Sequence, residues 1–418
     1  DKRDKTNTVT NPLKEINPTK DVTVKVGGDS IDGKSVYLNH TFLYRLDSSI
    51  LPPDRAYQTI TDWGGTDQLN TEYDQYLGNW AVYASRDLYR DGQMLAAKGE
   101  KIAGSGFDSS KFGGNLFTVD ADDNGKVTAD ATQAYLDLVS ADNEHEAGWV
   151  LYLQCKRIAV ADEVPNTWTE TINGQPRESN KVVTKTPDMT PSIHLEKVDT
   201  PTLKQEGQEQ ADRDDSKQAL KMDADSIGIT FIITNTSKTD PATGDGAWYK
   251  ASDLNLDDST IVGDAHVDMD SLTYPADWDT LVLKPGESVS VTGTLKGVKE
   301  GETHTDRAIV TGTPLVECAP SNGDPFNDES GDGIDPEYST GDVTEIDGKQ
   351  LCADTQTASN TDDWNGYRAK PLASTGTAVL GLAGGALAVL LAGGSLLVFR
   401  KRHYAQGSGR HTAVNAGK

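Results

Sequence analysis

The sequence predicts an all-β protein of two tandem β-sandwiches followed by a single transmembrane helix. Three observations predict this. Short runs of alternating apolar and polar residues recur through residues 20–313, each bounded by Gly, Asp or Ser, which is the period of a half-buried strand. A Pro-bearing hinge, Lys185-Thr186-Pro187-Asp188-Met189-Thr190-Pro191, divides them into two blocks. From residue 377 to 399 the chain carries no charge, and at about 1.5 Å per residue it can cross a hydrocarbon core of roughly 30 Å.

Taken in order, residues 1–19 are polar and read as a linker from a missing upstream region. The chain opens on Asp1 with no apolar leader, so a fragment of a longer secreted precursor is expected. Residues 20–186 form the first sandwich. Alternation at 22–26, 41–46, 80–84, 148–158 and 166–172 gives strands, and 133–139 has the spacing of a short helix. Residues 187–316 form the second sandwich, with strands at 192–197, 227–234, 281–287, 288–295 and 308–311 and a charged loop at 205–225. Residues 317–371 read as an acidic loop closed by a disulfide, then a linker. A short polar motif (372–376), the apolar span (377–399) and a basic tail (400–418) end the chain.

The charge balance sets limits on partners. Acidic residues number 65 and basic ones 39. Five of those basic residues and no acid follow Phe399, so the rest carries 34 against 65, a net −31. Nucleic-acid binding needs basic patches, so nucleic acid is excluded as a partner. Arg400, Lys401 and Arg402 behind the span hold the tail in the cytoplasm and leave everything upstream outside the cell. In that oxidising compartment Cys318 and Cys352, which flank the acidic loop, are expected to pair, while Cys155 in a strand-like run reads as a small buried hydrophobe.

Motifs for turnover chemistry are missing. There is no HExxH, GxSxG, Walker motif or GxGxxG after a strand, so the chain is not read as an enzyme. Asp120, Asp122 and Asn124 with Gly125 have the spacing of a calcium loop, although Ala131 stands where a bidentate Glu belongs; an Asn-Gly hairpin turn explains the same residues. No cofactor is required, and calcium is the one considered. The acidic residues 324–335 suit a hard cation and a solvated loop equally.

Leu372, Ala373, Ser374, Thr375 and Gly376, with the span and the basic stop behind them, resemble the cell-wall sorting signal of Gram-positive bacteria in its LAxTG form, Ala373 replacing the Pro of the commoner LPxTG. The resemblance implies a sortase that cuts between Thr375 and Gly376 and joins Thr375 to the peptidoglycan cross-bridge. An uncut single-pass anchor is the alternative, because the tail runs on to Lys418.

In the first block, Pro18-Thr19-Lys20-Asp21-Val22, Ile31-Asp32-Gly33-Lys34, Leu51-Pro52-Pro53-Asp54-Arg55-Ala56, Tyr73-Asp74-Gln75-Tyr76-Leu77-Gly78, Cys155-Lys156-Arg157-Ile158 and Asn166-Thr167-Trp168 stand out. With these stretches the block resembles the C-terminal domains of streptococcal antigen I/II-type adhesins. That family implies a β-sandwich with a spontaneous amide bond between a Lys amine and an Asn amide, promoted by a buried acid. By position Lys20 is the amine, Asn166 the amide and Asp67 the acid, with Lys25 and Asn180 as second candidates. Burial makes such chemistry possible: a desolvated Lys loses its proton and becomes a nucleophile, and a neutral carboxylic acid can polarise the amide. Asn235-Thr236, Lys284-Pro285-Gly286-Glu287 and Ala308-Ile309-Val310-Thr311-Gly312 resemble immunoglobulin-like repeats of bacterial surface stalks, and Lys197 with Asp306 is the corresponding pair there.

These readings converge on a wall-anchored adhesin stalk whose partners are a sortase, the peptidoglycan cross-bridge and a host glycoprotein or partner-cell ligand. A membrane-anchored tether for an upstream surface enzyme is the alternative.

Overall fold

Alternation in the first block becomes two antiparallel five-stranded sheets laid face to face. The computed structural model describes residues 16–55, 59–203, 213–326 and 335–371. The main strands of this first lobe are β1 (Thr19–Thr23), β2 (Thr41–Asp47), β3 (Trp63–Gln68), β4 (Asp74–Ala84), β5 (Lys101–Gly104), β6 (Phe117–Ala121), β7 (Lys126–Ala131), β8 (Trp149–Arg157), β9 (Ala161–Asn166), β10 (Trp168–Ile172), β11 (Gln175–Glu178) and β12 (Val182–Thr186). Helix α1 (Gln133–Ala141) lies between β7 and β8. One sheet runs β1-β2-β8-β4-β5 and the other β11-β10-β3-β7-β6, while β9 pairs with β12.

Strand β8 is buried along its whole length, which is why its sequence reads as nearly continuous apolar residues. Trp149, Leu151, Leu153 and Cys155 point into the sandwich and meet Trp63, Phe117 and Trp168 of the facing sheet. The Trp149 ring lies 6.1 Å from Trp63 and 5.7 Å from Trp168. At about 25 cal/mol per Å² and roughly 150–250 Å² per aromatic, each of these rings contributes several kcal/mol as an upper bound. The first strand starts earlier than the alternation at 22–26 suggests. β1 ends at Thr23, Val24 is exposed, and the chain turns through Gly27 at φ 66°.

The second lobe is built likewise from β13 (Ile193–Asp199), β14 (Ser226–Asn235), β15 (Asn255–Val262), β16 (His266–Val267), β17 (Ser288–Lys296), β18 (Thr303–Gly312), β19 (Leu315–Glu317), β20 (Ser339–Ile346), β21 (Lys349–Asp354) and β22 (Ala358–Tyr367). Sheet β13-β14-β17-β16 faces sheet β22-β18-β15, which the short strand Leu220–Lys221 extends in parallel beside β22. Phe231, Val291 and Leu195 from the first sheet pack against Ala308, Val310 and Trp364 from the second.

One boundary read from the sequence is corrected here. Residues 317–371 are not simply a loop and linker, and the second sandwich does not end at residue 316. β22 pairs with β18 from Thr303↔Tyr367 to Gly312↔Ala358 and supplies the fully buried Trp364 to the core. β19, β21 and β20 form a further small sheet, tied by a disulfide between Cys318 and Cys352 with Cα atoms 4.9 Å apart.

Behind Cys318, residues 319–326 leave their own lobe and lie on the first. Phe326 seats on Leu43, Ala81, Val150 and Tyr152, the outer face of the β8 sheet. Gln154 Nε2 donates to Gly323 O at 3.0 Å, Lys101 Nζ donates to Phe326 O at 3.0 Å, and Lys156 Nζ meets Asp335 Oδ2 at 3.0 Å with both side chains buried. The two lobes thereby form one compact unit.

Among the described residues no helix is long and apolar enough to cross a membrane. The motif at 372–376, the apolar span at 377–399 and the tail at 400–418 lie outside the described residues.

Candidate cross-link site

The first lobe buries a lysine where the two sheets meet. Lys20 sits on β1 and Asp67 on β3, in opposite sheets, and the Lys20 Nζ donates to Asp67 Oδ2 in a short contact with both side chains essentially inaccessible. An ion pair here is costly, because desolvation of two charges offsets most of their attraction. Burial pulls the Lys20 amine below its ordinary value, with the Asp67 carboxylate opposing that shift. The Nζ also lies 4.5 Å from the centroid of the Tyr44 ring.

Asn166 closes β9, two residues before Trp168, the cross-strand partner of Asp67. The Trp168 indole Nε1 donates to Thr19 O at 3.1 Å, so this stretch is pinned to the residue preceding Lys20. Asn166 is 6% exposed, yet neither its Oδ1 nor its Nδ2 has a hydrogen-bond partner, and Asp67 Oδ1 has none either. Buried amides are nearly always satisfied, so an unpaired one two residues from the cross-strand neighbour of Asp67 calls for a reason.

The second candidates are placed differently. Lys25 is exposed. Asn180 is spent on the backbone of Lys20: its Oδ1 accepts from Lys20 N at 2.8 Å and its Nδ2 donates to Lys20 O at 2.9 Å. That clamp holds β1 against the segment leading into β12.

Sequence reasoning missed the layer behind the site. Tyr44 OH donates to Asp74 Oδ2 at 2.7 Å, and Arg157 Nε donates to Asp74 Oδ1 at 2.8 Å. Arg157 also donates to Thr186 Oγ1 and Thr184 Oγ1 at 2.8 and 2.7 Å. The network fixes the ring under Lys20 and links β8 to β12. An Arg inside the apolar run of β8 was the available signal.

In the second lobe the structure brings Lys197 of β13 within 2.6 Å of Asp306 Oδ1 on β18, and within 2.5 Å of Asp258 Oδ2 on β15, a residue the sequence did not single out. Asp120, Asp122 and Asn124 lie on the β6–β7 hairpin, where Asp122 Oδ1 accepts from Asn124 N at 2.9 Å and Lys126 N at 3.0 Å and Gly125 takes φ 80°. Those bonds are the work of an Asx-stabilised turn. Among the described residues no three His, Cys, Asp or Glu side chains gather as a metal site.

Residues 17–187 match the family described as the cell surface antigen C-terminus. The chain is also 35% identical over 189 residues to the aggregation substance of Enterococcus faecalis, a match covering 44% of this chain and 14% of that protein's length. Among solved structures it is similar to the C-terminal domain of the Streptococcus pyogenes antigen I/II-family protein AspA, at 28% identity and TM-score 0.35, covering 41% of this chain and 47% of that one. The C-terminal domain of the Streptococcus agalactiae AgI/II polypeptide BspA gives 23% identity and TM-score 0.35, covering 41% and 50%. The Actinomyces fimbrial adhesin FimA gives 10% identity and TM-score 0.27, covering 84% and 98%.

Proposed function

We propose that this chain is the stalk end of a Gram-positive surface adhesin, held to the peptidoglycan by a sortase acting at Thr375 and stiffened by an amide bond between Lys20 and Asn166. The observation that carries the reading is the buried Lys20–Asp67 pair with an unpartnered buried amide two residues from Asp67's cross-strand neighbour. The match of residues 17–187 to a cell surface antigen family supports the location.

The chemistry follows the hydrogen bonds. A proton moves from Lys20 Nζ to Asp67 along their contact, which leaves a neutral amine and a neutral acid. The amine attacks Asn166 Cγ while Asp67 donates to Asn166 Oδ1 and relays a proton from the attacking nitrogen to the departing one. A C–N bond forms to Lys20, the C–N bond to the side-chain nitrogen breaks, ammonia leaves, and Asp67 ends protonated. The reaction runs once per molecule, so no turnover machinery is needed.

Such a bond closes the first strand onto β9 and lets tension bypass the sheet between them. An upstream head would then engage a host glycoprotein or partner cell, while the stalk carries the force to the wall. Intact-mass measurement tests the bond: a deficit of about 17 Da, restored in Asn166→Ala, is expected, and an unchanged mass removes it. Wall digests test the anchor: Thr375→Ala is expected to release the protein from peptidoglycan, and retained covalent attachment sinks the sorting reading.

A further inference from the structure

The second lobe holds a buried lysine in a different chemical setting. Lys197 lies on β13, in one sheet, and Asp258 and Asp306 lie on β15 and β18, neighbouring strands of the other. The side chains of all three are at most 1% exposed, so their contacts span the interior of the sandwich. Both groups that meet Nζ, at 2.5 and 2.6 Å, are carboxyls, whereas Lys20 Nζ meets the single carboxyl of Asp67. Asp258 Oδ1 is buried with no partner. His304, itself 2% exposed, puts Nε2 3.1 Å from Asp306 Oδ2, at ion-pair distance but without hydrogen-bond geometry.

We propose that Lys197 and Asp258 condense into an amide across the second sandwich, with Asp306 transferring the protons. The proposal rests on the reading of this chain as a covalently closed stalk, and extends it to a second, chemically distinct bond that releases water instead of ammonia. The three groups need between them one neutral carboxylic acid and one carboxylate. Burial and the neighbouring Asp306 push the Asp258 carboxyl up to about 6 against the pull of Lys197. Burial also acts upward on Asp306, but His304 and Lys197 outweigh it and hold that carboxyl below its ordinary value. Of the two carboxyls Asp258 is therefore the one that takes a proton more readily, and a neutral acid accepts a nucleophile where a carboxylate repels it.

The step balances. Lys197 gives a proton to the Asp306 carboxylate. The neutral amine attacks Asp258 Cγ, a nitrogen proton passes through Asp306 to the Asp258 hydroxyl, and the C–O bond breaks to release water. An amide joins Lys197 to Asp258, and Asp306 ends protonated, so the buried site finishes without charge. The penalty of burying an ion pair is thereby removed rather than endured.

High-resolution intact mass of the full chain, followed by peptide mapping, tests this apart from the bond in the first lobe. Both bonds give a deficit of about 35 Da, of which the second lobe supplies about 18 Da, with the Lys197 and Asp258 peptides joined. A deficit of about 17 Da confined to the Lys20 and Asn166 peptides leaves the first reading standing and overturns this one. Loss of about 18 Da alone does the reverse. Lys197 joined to Asp306 overturns the assignment of roles. Asp258→Ala is expected to abolish only the water deficit; its retained ammonia deficit reports a folded first lobe, and protected β13–β14 amides report a folded second one. Asp306→Asn is expected to leave Lys197 and Asp258 unjoined, and a full water deficit in that variant refutes the proton-transfer role.

Discussion

Asn166→Ala separates a covalent bond from a merely buried cluster better than any change to Lys20 or Asp67. Removing either member of the ion pair leaves the other buried and uncompensated, at a cost of about 3–5 kcal/mol whether or not a bond forms. Asn166 has no such entanglement, because neither atom of its amide is paired. Without a cross-link, deleting an unsatisfied buried amide recovers about 1–3 kcal/mol of desolvation, which offsets the small cavity left behind, so the variant melts near its parent. With the cross-link, the change opens a loop of roughly 146 residues, and the chain-entropy relation puts the loss at about 5 kcal/mol. For a lobe of this size, about 2–4 °C per kcal/mol makes that a fall of roughly 10–20 °C in Tm. Calorimetry reads the shift, and hydrogen exchange in β8 assigns the transition to the first lobe. A variant melting within about 2 °C of its parent, with unchanged slow exchange in β8, refutes the reasoning.

Three further outcomes follow from the packing. Burial, reinforced by Asp214 and Glu196, pushes the Asp362 carboxyl up to about 8, against the hydrogen bond it accepts from Lys197 N. The folded state then holds a proton that the unfolded chain releases near pH 4, so its contribution is complete below about pH 4 and lost as pH rises through about 8. Asp362→Asn is expected to raise Tm at pH 8 by about 2–4 °C and to change it little at pH 4.5, as thermal melts across that range would show; a lower Tm at pH 8 contradicts the assignment. Phe326→Ala uncovers Leu43, Val150 and Tyr152, and is expected to speed exchange across residues 319–326 by at least tenfold while leaving the β13–β14 amides unchanged. Replacing Cys318 and Cys352 by Ser opens a 34-residue separation, for an expected loss of about 3–4 kcal/mol in denaturant melts; an unaltered midpoint would show that the small sheet holds itself.

How much of this was legible depends on where each residue points. The helix at Gln133–Ala141 and the strands at Thr41–Asp47 and Trp149–Arg157 announced themselves because one face or both are apolar at the right period. β22 did not: Ala358–Tyr367 carries Asn, Asp and Thr, and its only large apolar residue inside is Trp364. Its inward Asp362 looks like a surface residue until Lys197 N is found donating to it at 2.7 Å. The segment around Phe326 was hidden for a related reason. Gly and Asp around Phe326 read as a solvated loop, and only the other lobe shows that one Phe and Asp335 anchor it. Lys20 and Asp67 were reached through resemblance, since a lone Lys in a strand reads as surface; Asp258 had no motif to mark it.

A covalent tie between Lys20 and Asn166 would bear load, so a pulling experiment tests it most directly. Stretched from its two ends, the chain is expected to yield first-lobe unfolding that lacks about 500 Å of extension, the length of residues 20–166 at roughly 3.3–3.6 Å each, with that length returned in Asn166→Ala. Release of the whole lobe by the parent chain would contradict a covalent tie between Lys20 and Asn166.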